Sequence, residues 1–144
     1  MTLWRALRPI GYRTSYNENA RYYTLASIPV FDALGLWQYR KARFSRYGSL
    51  LETLVGLSSE SEAGYDGREL SEILGVRAGP ELSRLSRLGR IRREKLGGCF
   101  IYVSSDEKQR ERQLGRREVE VRKAEERAPW PVPETMIAVL VEWV

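Results

Sequence analysis

The sequence predicts an α+β fold, in which three short helices and a β-hairpin follow further hairpins and precede a long charged helix. Three observations support this prediction. Helix-capping residues and glycines punctuate the middle of the chain, apolar residues between them recur at helical spacing, and a Gly-Gly pair separates two strand-forming runs. The 144 residues, 42% hydrophobic and 30% charged, suffice for one modest domain or two very small ones that share a core.

Residues 1–47 are predicted to form a β-hairpin region. Its first hairpin pairs residues 10–14 with residues 21–25, across a segment with two asparagines, which tolerate turn conformations. The second hairpin pairs residues 36–39 with residues 42–45. Basic and aromatic residues alternate throughout the region. That pattern is typical of nucleic-acid surfaces and equally of a tightly packed β-layer with arginines reaching to solvent.

The aromatic and the basic residues of this region are assigned different roles. The aromatic side chains predicted to lie in the core are Trp37, Tyr39 and Phe44. The basic side chains whose role is left open between the two interpretations are Arg13, Arg21, Arg40, Lys41, Arg43 and Arg46. Of these, Arg40, Lys41 and Arg43 are retained as candidate nucleic-acid contacts.

Two helices are predicted in the middle of the chain from their caps. The first begins after Ser49, which forms a capping box with Glu52 and precedes a run of leucines at helical spacing. The second begins after Asp66, with Glu69 three residues later. It ends before Gly75, where a left-handed backbone is needed.

A third helix and a hairpin follow. Gly79-Pro80 starts the helix, because proline at the first helical position loses no hydrogen bond, and Gly89 ends it. Its core face is predicted to consist of Leu82, Leu85 and Leu88. Strands at 91–95 and 99–103 then flank the Gly97-Gly98 turn.

This order of elements is that of a winged helix-turn-helix, predicted for residues 48–106. Residues 107–128 are predicted to be a lone solvated helix, a charged linker rich in local ion pairs. Residues 129–144 are a proline-broken apolar segment that we expect to contact a second copy or a protein partner.

The distribution of charge indicates a polyanionic partner. The net charge is +5 and the pI is near 9.6. Residues 5–46 carry eight basic side chains against two acidic ones, residues 48–82 carry two against seven, and residues 84–95 carry six against one. An acidic stretch between two basic ones suggests that one side of the fold is positive.

The third helix directs serine and arginine away from its leucine face. Such side chains suit a DNA major groove, where Arg binds guanine or phosphate and Ser does so more weakly. The candidate DNA-binding residues of this helix, of the turn before it and of the following strand are Arg77, Ser83, Arg84, Arg87, Arg90, Arg92, Arg93 and Lys95. The alternative is an ordinary solvated face, and Glu81 near the helix start favours that alternative.

Several function classes are disfavoured by composition. The chain has no histidine and a single cysteine, Cys99, so zinc sites of Cys and His and His-dependent nucleophile systems are unavailable. No P-loop or dinucleotide-binding glycine motif occurs. We therefore predict no catalytic residues, no metal site and no cofactor. No apolar run is long enough to span a membrane and no secretory signal is evident, so we expect a cytoplasmic protein.

Several sequence motifs in the first half of the chain resemble those of a known family. Residues 12–25 have the sequence YRTSYNENARYYTL. The shorter matching stretches are Phe31-Asp32, Gly35-Leu36-Trp37, Phe44-Ser45 and Gly48-Ser49-Leu50. Over about residues 8–115 the chain resembles tandem winged-helix proteins of bacteria and archaea, some of them associated with mobile elements. The resemblance implies that the Tyr-rich hairpin is the wing of an upstream helix-turn-helix, although only Thr2 to Leu7 precede it here.

Fold and charge together predict a DNA-binding protein, a transcription regulator or a mobile-element accessory factor, whose partner is double-stranded DNA. The alternative is a non-catalytic adaptor in a larger complex, because a fold alone does not fix a function.

Overall fold

The computed structural model describes residues 8–127, which form an α+β fold with four helices and small antiparallel sheets. The α+β class predicted from the sequence is confirmed. The segment 129–144, predicted to contact a partner, and Thr2 to Leu7 lie outside the described residues.

Two antiparallel hairpins form the N-terminal part. Strand β1 (Tyr12–Thr14) pairs with β2 (Tyr23–Leu25), and β3 (Leu36–Tyr39) pairs with β4 (Ala42–Ser45). Short 3₁₀ turns at Arg8–Ile10 and Glu18–Ala20 precede β1 and connect it to β2. Both hairpins predicted from the sequence are confirmed.

Residues 8–127 also contain four α-helices. They are α1 (Leu50–Glu60), α2 (Gly67–Leu74), α3 (Gly79–Arg87) and α4 (Glu107–Arg127). The caps of α2 are those predicted: Asp66 and Glu69 form a reciprocal capping box, and Gly75 ends the helix with φ +67°.

A three-stranded sheet joins the helices. It consists of β5 (Tyr65–Asp66), β6 (Ile91–Leu96) and β7 (Cys99–Ser104), in the order β5-β7-β6. The hairpin of β6 and β7 is predicted by the sequence, but β5 is not. A two-residue strand has no periodicity of its own, and β5 exists because it pairs with β7.

Hairpins and helices share one core. The leucines of α1, α2 and α3 pack with Ile91 and Tyr102 of the sheet, and Tyr16 and Leu36 from the N-terminal hairpins belong to the same cluster. The Tyr16 hydroxyl also donates a hydrogen bond of 2.8 Å to the carbonyl of Leu74, at the end of α2. The N-terminal region is therefore packed against the helical part and shares its core.

Two predicted core residues are exposed. Leu88 is 62% exposed because α3 ends at Arg87, so the three-residue spacing no longer applies at the helix terminus. Tyr39 is 57% exposed at the end of β3. Phe44, by contrast, is buried as predicted, and Trp37 is half-buried.

The first part of α4 packs against the body of the protein, whereas the sequence predicted a lone solvated helix. The Gln113 side chain is fully buried, and its Oε1 accepts a hydrogen bond of 2.8 Å from the backbone N–H of Ser104 in β7. Its Nε2 donates to the carbonyls of Ser58 and Ser61 near the end of α1, at 2.7 and 2.8 Å. Hydropathy alone indicates a solvated Gln113, because it does not show that this side chain forms hydrogen bonds with buried backbone groups.

Residues 8–127 contain no helix that is both long and apolar enough to cross a membrane.

We predict that Gly64→Ala is much more destabilising than Gly89→Ala. Both glycines have positive φ, +70° and +74°, and for alanine this costs about 1 to 2 kcal/mol. A Cβ at position 64 would also lie 2.7 Å from side-chain atoms of Ile101 and Val103 and 3.0 Å from the Tyr102 carbonyl, whereas nothing lies within 4 Å at position 89. Overpacking adds about 1 to 3 kcal/mol at position 64. Equal losses in urea denaturation would show that the contact between Gly64 and β7 is unimportant.

We predict that Gln113→Ala lowers the free energy of unfolding by roughly 2 to 4 kcal/mol, because buried backbone groups at Ser58, Ser61 and Ser104 lose their partner. Arg112→Ala, at an exposed position of the same helix, is the control and should change stability by less than about 0.5 kcal/mol. Thermal and urea denaturation measure both variants. Similar stabilities would mean that α4 does not depend on this anchor.

Candidate nucleic-acid interface

Helix α3 presents a polar side to strand β6. Leu82 and Leu85 are buried, with 0% and 1% of their surface accessible to solvent, so the helix is fixed with its opposite side outward. Ser83, Ser86 and Arg87 lie three and four residues apart, and they share the side that adjoins β6.

A cleft of about 390 Å³ lies between α3 and β6. It is lined by Ser83, Ser86, Arg87, Ile91, Arg92, Arg93 and Glu94. Four of the sequence-predicted residues, Ser83, Arg87, Arg92 and Arg93, are therefore brought together around one concave surface. Arg84 is exposed on the same helix.

The hairpin of β6 and β7 extends beyond the hydrophobic core. Of the six residues of β6, only Ile91 is buried, and the four that follow it are exposed. Near the turn, the Arg93 guanidinium lies over the ring of Phe100 in β7, 4.3 Å from its centroid. This contact holds one cation of the cleft, and Arg93 remains exposed to solvent.

The basic side chains of this surface lack acidic partners. Within residues 8–127, no salt bridge and no side-chain hydrogen bond is formed by Arg77, Arg84, Arg87, Arg92, Arg93 or Lys95. Glu94 is the one acidic residue that lines the cleft. The surface thus keeps a net positive charge.

The acidic stretch of residues 48–82 is instead neutralised elsewhere. Its ion pairs are Glu52–Arg90, Glu60–Arg46, Glu62–Arg116, Asp66–Arg117, Glu69–Arg117 and Glu72–Arg68. Arg117 of α4 is the least exposed of these arginines, with 17% of its side chain accessible. None of the partners is one of the cations that line the cleft.

Arg90, one of the predicted DNA-binding residues, forms an ion pair within the protein. Its guanidinium donates two hydrogen bonds to the Glu52 carboxylate, Nη1 to Oε1 at 2.7 Å and Nη2 to Oε2 at 3.0 Å. These hydrogen bonds lower the pKa of Glu52 and raise the pKa of Arg90. They also replace half of the predicted capping box: Ser49 Oγ accepts from the Glu52 N–H at 3.2 Å, but the Glu52 side chain reaches Arg90 and does not return to Ser49.

The three basic candidates of the second hairpin do not line the cleft. Arg40 and Lys41 form the exposed turn between β3 and β4. Arg43 is half-buried, and its guanidinium lies so close to Gly75 that an added Cβ there would be 2.4 Å from Cζ. Arg43 therefore packs at the end of α2. Arg77 is exposed in the turn between α2 and α3.

Sequence reasoning gave too little weight to Ser86 and omitted Phe100. Ser86 lies three residues from Ser83, and this spacing is the signal that both share one side of the helix. Phe100 gives no such signal, because its contact with Arg93 is a diagonal one across the hairpin, where the register pairs Phe100 with Lys95 and Arg93 with Tyr102.

Among residues 8–127, no three His, Cys, Asp or Glu side chains are grouped so that they could hold a metal ion. Comparison of the chain with models of protein families, with curated proteins and with solved structures gave no match. The site must therefore be interpreted from its own chemistry.

We predict that Glu52→Gln lowers the Tm at pH 7 and flattens its dependence on acid pH. The pKa of Glu52 is lower in the folded state, so the ion pair stabilises the protein fully above the unfolded-state pKa of about 4.3 and is lost as the pH falls through the folded-state value. The difference in Tm between wild type and variant should shrink below that pH. Glu111→Gln, at an exposed position of α4, is the control. A difference independent of pH would contradict this account.

Proposed function

We propose that this protein is a DNA-binding protein of the winged helix-turn-helix class, which contacts duplex DNA through α3 and the hairpin of β6 and β7. The observation that carries the proposal is the cleft between α3 and β6, whose basic side chains are exposed and have no acidic partner among the described residues. Its cellular role would be that of a transcription regulator or a mobile-element accessory factor.

The order of elements supports the class. The chain runs α1, β5, α2, α3, β6 and β7, with the strands in the order β5-β7-β6. Helices α2 and α3 are separated by four residues that include Gly75, as expected of a helix-turn-helix. In this assignment α3 is the recognition helix and the β6–β7 hairpin is the wing.

The chemistry of the cleft suits a polyanion. Arg84 and Arg87 project from the helix and can bind guanine edges or phosphates, while Ser83 and Ser86 allow close approach of the helix. Arg92 and Arg93 on the strand suit backbone contacts beside the groove occupied by the helix.

A protein-interaction adaptor is the second candidate function. The observation in its favour is the exposure of large apolar side chains between the two N-terminal hairpins, where Ile28 and Val30 are 52% and 80% accessible. Exposed apolar patches are typical of protein interfaces.

We predict that the double variant Arg84→Ala/Arg87→Ala binds a random-sequence duplex at least about tenfold more weakly than wild type, with an unchanged Tm, because two phosphate or base contacts are lost. Fluorescence anisotropy at about 50 and about 200 mM salt should also show a shallower salt slope, by about 0.9 for each lost phosphate contact. The matched control is Arg68→Ala/Arg112→Ala, which removes the same charge from exposed positions of α2 and α4.

Equal effects of the two double variants would reduce the interaction to net charge and contradict a specific surface. A wild-type protein that binds weakly, with little salt dependence, would favour the adaptor. If Arg92→Ala/Arg93→Ala alone reduced affinity, the contact would lie on the hairpin and α3 would not be the recognition helix.

A further inference from the structure

A second surface, distant in sequence from α3, carries aromatic rings and arginines. It is a groove of about 480 Å³ between the two N-terminal hairpins. The groove is lined by Tyr22, Tyr23, Thr24, Ile28, Trp37, Tyr39, Ala42 and Phe44. Five of these eight residues are aromatic, and two of them, Tyr23 and Tyr39, are exposed at 38% and 57%.

The rings on the β3–β4 side form a continuous aromatic wall. Trp37 and Tyr39 share one face of β3 and are stacked, with centroids 6.0 Å apart and planes inclined by 19°. Phe44, the cross-strand partner of Trp37, has its ring centroid 5.4 Å from that of Trp37, with the two planes inclined by 40°. The buried Phe44 ring therefore packs against Trp37, which in turn stacks on the exposed Tyr39.

Arginines lie at the tyrosines of both walls. The Arg21 guanidinium lies over the ring of Tyr22, 5.5 Å from its centroid, and the Arg40 guanidinium lies over the ring of Tyr39 at the same distance. Glu18 is 3.5 Å from Arg21, but both side chains are exposed, so this pair is weak and screened by salt. The groove thus combines aromatic walls with an arginine beside each wall.

Hydrogen bonds fix the two walls relative to each other. The Asn17 side chain donates from Nδ2 to the carbonyl of Lys41 at 2.8 Å and accepts from the N–H of Arg43 at 3.0 Å. The backbone N–H of Tyr16 donates to the carbonyl of Arg43 at 2.9 Å. The three residues after Asn17 all have left-handed φ, between 52° and 57°, which costs about 1 to 2 kcal/mol per residue and must be supported by such contacts. The groove is therefore preorganised.

We propose that this groove binds unpaired bases of single-stranded nucleic acid, with Tyr23, Trp37 and Tyr39 stacking on the bases and Arg21 and Arg40 contacting the phosphates. Stacking on aromatic side chains beside a positive charge is how proteins hold single strands without reading their sequence. Duplex DNA does not fit this groove, because its bases are stacked on one another and unavailable to the rings. The proposal uses other residues than the α3–β6 cleft, so the two can fail separately.

The test compares labelled oligo(dT) and oligo(rU) of about 12 nucleotides with an abasic strand of the same length and charge. Fluorescence anisotropy with the full chain should show binding of at least one oligonucleotide, about fivefold or more tighter than binding of the abasic strand. The two oligonucleotides distinguish DNA from RNA.

Tyr39→Ala and Tyr23→Ala should each weaken oligonucleotide binding about five- to tenfold and leave binding of the abasic strand unchanged. Val119→Ala is the control, since this apolar side chain is similarly exposed, at 39%, but lies on α4, outside both the groove and the α3–β6 cleft. Arg84→Ala/Arg87→Ala should preserve the preference for bases over the abasic strand. The Tm of each variant confirms that it folds.

Three results would overturn the proposal. The first is equal affinity for abasic and base-carrying strands, which would mean attraction to phosphate alone. The second is unchanged oligonucleotide affinity in both tyrosine variants. The third is binding of a synthetic peptide of residues 129–144 that Tyr39→Ala abolishes, together with no base-dependent binding of either oligonucleotide. The groove would then recognise proline-rich protein segments, since aromatic-lined grooves also bind such segments.

Discussion

Leu82 and Leu85 of α3 and Ile91 of β6 are almost completely buried in one core, and the position of every cation in the cleft depends on that burial. Burying each such side chain contributes about 1.5 to 3 kcal/mol, so rotation of the helix about its axis is strongly opposed. Because the two leucines fix one side of α3 inward, Ser83 and Arg87 must face β6 or solvent. The cleft is thus a geometric consequence of the core.

The separation of the acidic side chains from the cations of the cleft also results from the fold. Six of the seven carboxylates in residues 48–82 pair with arginines from the β4–α1 junction, from α2, from the turn after α3 and from α4. Most of these pairs are exposed and contribute little to stability. Their effect is to neutralise the acidic stretch with arginines that do not line the cleft, where Glu94 is the one acidic lining residue. Arg117, which reaches Glu69 at 2.7 Å, also ties α4 to the start of α2.

Most signals whose physical cause is local were accurate, apart from half of the capping box at Ser49 and the core position of Leu88. The cap at Asp66, the left-handed position at Gly75 and the turn at Gly97-Gly98 follow from backbone chemistry within a few residues, and the structure has each of them. Predictions that required a partner distant in sequence were less accurate. Glu52 pairs with a residue 38 positions away, and the Gln113 Nε2 donates to the carbonyls of Ser58 and Ser61, more than 50 positions away. No pattern in a single sequence specifies such pairs.

The sequence by itself determined the α+β class, the hairpins, the helix boundaries near their caps and the concentration of arginine after residue 83. The tertiary structure alone decided which arginines stay free, since Arg90 and Arg93 look alike in the sequence and only the fold brings a carboxylate to the first and a phenylalanine to the second. It alone also joined the two hairpins into one aromatic groove. The physical reason is that capping and periodicity act over a few residues, whereas ion pairing and burial act through space.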